Sequence, residues 1–174
     1  MATYPTWTAG QRITAALLLA AQPATYYKAA TTSRSSTTTL ADDPDLTVTL
    51  DASATYTIEM VLSYAAVTAG GFKTAWNASA GVTSVNRSVQ GPGSAAADAS
   101  ADNISMRSGV HNYTTAISYG TRNNGGNQLV AVERALVATD TTGGTVTLQW
   151  AQTASSATAT LLSGSSYMTV TRIA

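Results

Sequence analysis

In Leu46-Thr47-Val48-Thr49-Leu50 and again in Tyr56-Thr57-Ile58-Glu59-Met60-Val61-Leu62-Ser63-Tyr64, a large apolar side chain stands at every second position. A period of two belongs to strands that bury one face. The intervening Asp51-Ala52-Ser53-Ala54 is short, polar and small, as expected of a connection between neighbouring antiparallel strands.

The same rhythm returns along the chain. Phe72 to Trp76 alternates with both aromatic rings on one face, and Ile104 to Arg107 and His111 to Tyr119 are short alternating segments. Leu129 to Val137 is apolar on both parities, the pattern of a central strand covered on both sides. Residues 145–152, with Val146, Leu148 and Trp150 in phase, 157–162 and 166–173 read as three closing strands. Asp42-Asp43-Pro44-Asp45 predicts a turn, as does Asn123-Asn124-Gly125-Gly126. Thr31 to Thr39 predicts an edge strand or extended lead-in, and residues 81–105 mostly a long loop that serves as a contact surface. Eight to ten short strands with Gly-marked turns in 174 residues predict one all-β antiparallel domain, a sandwich or barrel, over residues 25–174.

Residues 1–24 form a separate unit. After an extended lead to Trp7, Thr8-Ala9-Gly10-Gln11 fits a capping box, and a short N-terminal helix of about three turns should end before Pro23. Ile13, Ala16, Leu17, Leu18, Leu19, Ala20 and Ala21 make it apolar around most of its circumference. Such a helix needs cover. It either packs on its own domain or anchors the chain to a partner, with Trp7, Ile13, Leu17 and Leu18 as the attachment residues.

Composition narrows the chemistry. Charged residues make up only 10% of the chain and the formal net charge is zero, while Ser and Thr exceed a quarter. A nucleic-acid binder would concentrate Lys and Arg on one face; the surface here suits burial against copies of itself. No run is long enough to cross a bilayer, and without cysteine neither disulfides nor thiolate metal sites arise. The three carboxylates of 42–45 would suit calcium, but no loop of alternating oxygen ligands follows. The lone His111 has no nucleophile elbow to serve. Glu59 and Glu133, the two glutamates, read as strand charges paired with Arg134, Arg87 or Arg107 rather than as a glycosidase couple with Asp98 or Asp102. No cofactor is expected.

Several ordered pieces carry a resemblance: Thr6-Trp7-Thr8-Ala9-Gly10-Gln11 with Ile13-Thr14-Ala15, Ser33-Arg34-Ser35, Asp42-Asp43-Pro44-Asp45-Leu46-Thr47, Asn86-Arg87-Ser88 before Gly91-Pro92-Gly93, and Leu148-Gln149-Trp150-Ala151-Gln152. Together they resemble small virion proteins of tailed phages of actinobacteria, often labelled minor tail or tail-fibre proteins. Trp150 and Ser166-Tyr167-Met168-Thr169-Val170 resemble the trimeric jelly rolls of the C1q and tumour-necrosis-factor type. The resemblance implies a jelly-roll sandwich and a homotrimer without cofactor, metal or catalytic residue. It also implies a structural role on the outside of a phage particle, as a capsid decoration or fibre head attached to another virion protein. Tyr56, Ile58, Trp150 and Tyr167 are expected at the oligomer or core surface. The alternative is a tail-associated module that binds host cell-surface glycan with Trp76, Asn86, Arg87, Tyr113, Tyr119 and Arg122.

Overall fold

A computed structural model describes residues 8–94 and 105–174. Its one helix among these residues, α1 (Ala15–Ala20), precedes the strands β1 (Ala24–Tyr27), β2 (Thr32–Arg34), β3 (Ala41–Leu50) and β4 (Thr55–Ala66). Next come β5 (Phe72–Ala78), β6 (Asn86–Pro92), β7 (Met106–Asn112) and β8 (Ile117–Tyr119). The chain closes with β9 (Asn124–Ala138), β10 (Gly144–Ala151), β11 (Thr160–Leu162) and β12 (Tyr167–Arg172).

The strands form two antiparallel sheets, a larger one in the order β1-β12-β4-β9-β6-β7, with β11 joining β4 to β2, and a smaller one in the order β3-β10-β5-β8. Without the short β2 and β11 and the β6–β7 hairpin, the chain folds back on itself. The first strand pairs with the last, β3 with β10, β4 with β9, and β5 with β8. A two-stranded ribbon wound into two facing sheets is a jelly roll. The β6–β7 hairpin, inserted between β5 and β8, extends the larger sheet past β9.

The period-two residues meet between the sheets. Leu46, Val48, Leu50, Tyr56, Ile58, Met60, Leu62, Tyr64, Val146, Leu148 and Trp150 are all buried. An aromatic line runs through the middle, with Tyr64 stacked on Phe72 at 4.1 Å between centroids and Tyr119 and Trp150 at 6.2 and 6.0 Å from Phe72. Each large apolar side chain sealed here contributes about 1.5–3 kcal/mol.

Several expectations need correction, among them the turn foreseen at 123–126, where residues 124–126 already belong to β9. β3 and β4 are not a hairpin: they lie in opposite sheets, so 51–54 crosses the sandwich, and the alternation that marks an inward face is blind to which sheet the strand joins. The predicted turn at 42–45 is absorbed into β3 as an irregularity opposite Leu148, where pairing jumps from Thr147↔Thr47 to Gln149↔Asp42. Its turn chemistry survives locally, the Asp43 carboxylate accepting the N–H of Asp45 at 3.2 Å. Within 81–105, residues 86–92 form a strand rather than loop, since Arg87 and Val89 both point inward; residues 95–104, including Asp98, Asp102 and Ile104, lie outside the described residues. The helix spans six residues, not three turns: Gly10 takes a positive φ of 80° and closes Thr8–Gln11 as a separate turn, and Thr14 caps the helix by accepting the N–H of Leu17 at 3.3 Å.

Candidate functional site

The ionisable groups inside the sandwich gather in two places. Glu133 on β9 is fully buried, and its carboxylate accepts four hydrogen bonds: from the Thr74 hydroxyl, Trp76 Nε1 at 2.6 Å, Arg87 Nε at 2.9 Å and the Tyr119 hydroxyl at 2.7 Å. Arg87 on β6 spends its remaining four N–H groups on backbone carbonyls of Asn112 (2.9 Å), Tyr113, Thr74 (3.2 Å) and Thr115 (3.1 Å). Every acceptor site of the carboxylate and every guanidinium donor is therefore occupied. The cluster clamps β9 and β6 of one sheet to β5 and β8 of the other, and it leaves no lone pair for a substrate.

Burial and the Glu133 charge push the Tyr119 phenol well above its ordinary 10.0, and burial alone does the same to Tyr64, whose hydroxyl donates to the Gly120 carbonyl at 2.6 Å. Because the folded values are raised, these phenols support the fold fully below about pH 10, and that support is withdrawn as pH climbs from the unfolded value toward the folded ones. Ultraviolet titration of phenolate is expected to leave Tyr64 and Tyr119 silent past pH 10 until the protein unfolds; their titration in the native protein at the ordinary value would contradict the buried network.

The second gathering is Lys28, just after β1, with Asp43 and Asp45 on β3. The Lys28 ammonium contacts Asp43 at 2.8 Å and Asp45 at 3.2 Å, and Trp150 Nε1 donates to Asp43 at 3.0 Å. Two of the three carboxylates weighed for calcium are thus engaged by a lysine.

The two outward faces differ. On the smaller sheet, Asp42 accepts from Asn77 (3.3 Å) and Gln149 (2.8 Å), and Thr47 bonds Thr147 at 3.1 Å, so polar groups satisfy one another. On the larger sheet, register aligns Tyr27, Tyr167, Val61, Val132 and Gln90 across one line, and Thr57 and Leu136 across another. The exposed large hydrophobics there are Tyr27, Met106, Val110, Val130, Leu136 and Tyr167, with Val110 at 69% and Leu136 at 59%. Glu59 and Arg134 are the charges of this face among the described residues, and they pair with each other. A groove of about 440 Å³, lined by Thr57, Glu59, Ser88, Val110, Arg134 and Leu136, runs across it. The both-sided apolar pattern of Leu129 to Val137 is thus half met within the chain. Ala131, Glu133 and Val137 are sealed, whereas Val130 and Leu136 face outward.

The structure sorts the sequence-selected residues. Tyr56, Ile58 and Trp150 are core, and only Tyr167 reaches the surface. The glycan-loop set is corrected. Trp76, Arg87, Tyr113 and Tyr119 are buried, three of them on strands, because their polar atoms serve the clamp or its surroundings; Asn86 is exposed and Arg122 half-buried. Of the attachment set, Ile13 and Leu18 are exposed and Leu17 is half-buried, while Trp7 lies outside the described residues. Glu133 pairs with Arg87 and Glu59 with Arg134, both within the chain. Lys28, Tyr27, Val110 and Leu136 were missed. Lys28 stands between Tyr26-Tyr27 and Ala29-Ala30 with no acid close to it in sequence, and nothing in strand alternation says which face an assembly covers.

No protein-family model and no curated protein matches the sequence. Among solved structures the chain is similar to the infectious bursal disease virus VP2 subviral particle, at 7% identity over 87% of this chain and 41% of that one, with a TM-score of 0.22. A chain of the infectious bursal disease virus Gx strain matches at 13% identity over 87% and 40%, with a TM-score of 0.19. The chain spans about two fifths of their length, and the likeness is too slight to carry an argument; the jelly roll rests on strand pairing.

Proposed function

We propose that this protein is a non-enzymatic structural component of a phage virion, a homotrimer built through the outer face of the larger sheet and fixed to the particle exterior by its N-terminal segment. The observation that carries the assembly is β9: its sequence is apolar on both parities, yet a single copy leaves Val130 and Leu136 in solvent. Covering them with a second copy costs little desolvation, because the face holds threonines, aliphatics and one internally paired Glu59–Arg134 couple. The occupied clamp around Glu133 supports a structural reading over a catalytic one. The place on a particle and the threefold number rest on the resemblance to actinobacterial phage virion proteins and to trimeric jelly rolls.

Two measurements test the reading. The mass of the purified protein in solution is expected to be three times that of the chain; a monomer at micromolar concentration rejects the assembly. Quantitative mass spectrometry of purified particles should find the protein in multiples of three, and particles free of it reject the virion assignment.

A further inference from the structure

We infer that Lys28 and Asp43 condense spontaneously into an intramolecular amide, with Asp45 as the proton carrier. This inference is independent of the trimer and of the virion role. The two partners are 1% exposed and held together, Lys28 Nζ lying 2.8 and 3.1 Å from the two carboxylate oxygens of Asp43. Both sides are fixed by backbone: the N–H of Lys28 donates to the Ser166 carbonyl at 3.0 Å, and Asp43 sits in the β3 irregularity with its Oδ1 accepting the N–H groups of Asp45 and Leu46 at 3.2 and 3.3 Å.

Amide formation needs three things besides proximity, and each is present. The acyl carbon needs donors for the negative charge its oxygens gather in the tetrahedral state. Oδ1 has two backbone N–H groups, and Oδ2 has Trp150 Nε1 at 3.0 Å. The ammonium must shed protons to an adjacent base, and Asp45 Oδ2 is 3.2 Å away. Water must leave without readily returning. Asp45 keeps 30% of its side chain exposed and offers the exit, while the Arg34 guanidinium lies over the Trp150 ring, 4.2 Å from its centroid.

The balance closes without any co-reactant. Asp45 takes one proton from the Lys28 ammonium and passes it to one Asp43 oxygen, so that a neutral amine faces a neutral carboxyl; a turn of that carboxyl about its Cβ–Cγ bond presents the carbon, and the nitrogen lone pair forms the C–N bond. Asp45 then takes a second proton from the nitrogen and passes it to the same oxygen. The C–O bond then breaks, and one water departs. Asp45 ends as it began, and two buried opposite charges become one neutral amide, relieving their desolvation cost. Fixed partners react with effective molarities of about 10⁵–10⁸ M, which lowers the barrier to condensation.

Intact-mass spectrometry of the full chain is expected to give the sequence mass less one water. Proteolysis should yield a branched peptide joining the segment around Lys28 to the one containing Asp43, with trypsin unable to cut after Lys28. Lys28→Met and Asp43→Ala should each restore the full mass. Asp45→Asn should leave the sandwich folded by circular dichroism and slow the link at least a hundredfold. The full sequence mass in the unaltered protein after prolonged incubation at neutral pH overturns the inference, as does a water loss that maps to a single unbranched peptide. A link formed at the original rate in Asp45→Asn overturns the role given to Asp45.

Discussion

Replacing Arg87 with methionine is expected to lower the unfolding free energy by about 3–5 kcal/mol, the usual cost of removing one partner from a buried ion pair. The loss is that large because Glu133 is left without its charged partner in a site sealed from water and because the carbonyls of Asn112, Tyr113, Thr74 and Thr115 lose their donor together. Against a total of about 5–15 kcal/mol for an ordinary domain, the variant stands near the edge of folding. Adding Glu133→Leu should return part of the stability, since the stranded charge disappears with its partner, and the double variant should be less damaged than the sum of the single ones. Urea midpoints at one fixed protein concentration decide it, because assembly links stability to concentration. A loss below about 1 kcal/mol for Arg87→Met would mean that water or neighbouring groups replace the guanidinium and that the clamp is no clamp.

Leu136→Asp is expected to dissociate the proposed trimer while leaving the single chain folded. In one copy Leu136 is 59% exposed on the outward face of β9, so the substitution should change monomer stability by no more than about 0.5 kcal/mol. Within a trimer the same carboxylate is driven against apolar and threonine surface with no counter-charge. Glu59 and Arg134 are already paired, and the penalty of several kcal/mol per copy weakens association at least about a hundredfold. Sedimentation velocity should show the mass falling to one chain with an unchanged circular dichroism spectrum. Thr49→Asp on the outward face of β3 is the control and should leave the mass as it was. An unchanged mass for Leu136→Asp removes the larger sheet from the interface.

The alternation of Leu46 to Tyr64 and Thr145 to Gln152 made the strands and their inward residues readable, because burial of one face leaves its imprint at every second position. Partner choice was less readable. β3 and β4 look like a hairpin, but pairing depends on register and on how the ribbon winds, and neither is written locally. Trp76 reads as a surface recognition group when side-chain type is taken without a partner, and Arg87 fits both that role and pairing with a glutamate; opposite Glu133 the polarity of both is internal. For Glu133 the pairing with arginine was legible from the scarcity of acids, whereas its burial was not. Lys28 carried no signal at all, since the carboxylates that hold it lie fifteen and seventeen positions away across the layers.

The ribbon's winding also gives the sandwich two unlike ends. Ala24 at the start of β1 lies beside Val170 near the finish of β12, so the segments before and after the barrel of strands leave from one pole. Pro92 and Met106, where β6 hands over to β7, face each other at the opposite pole. A foreign epitope spliced between those two positions would therefore project from the pole opposite the N-terminal segment, while one fused behind β12 would share that segment's pole.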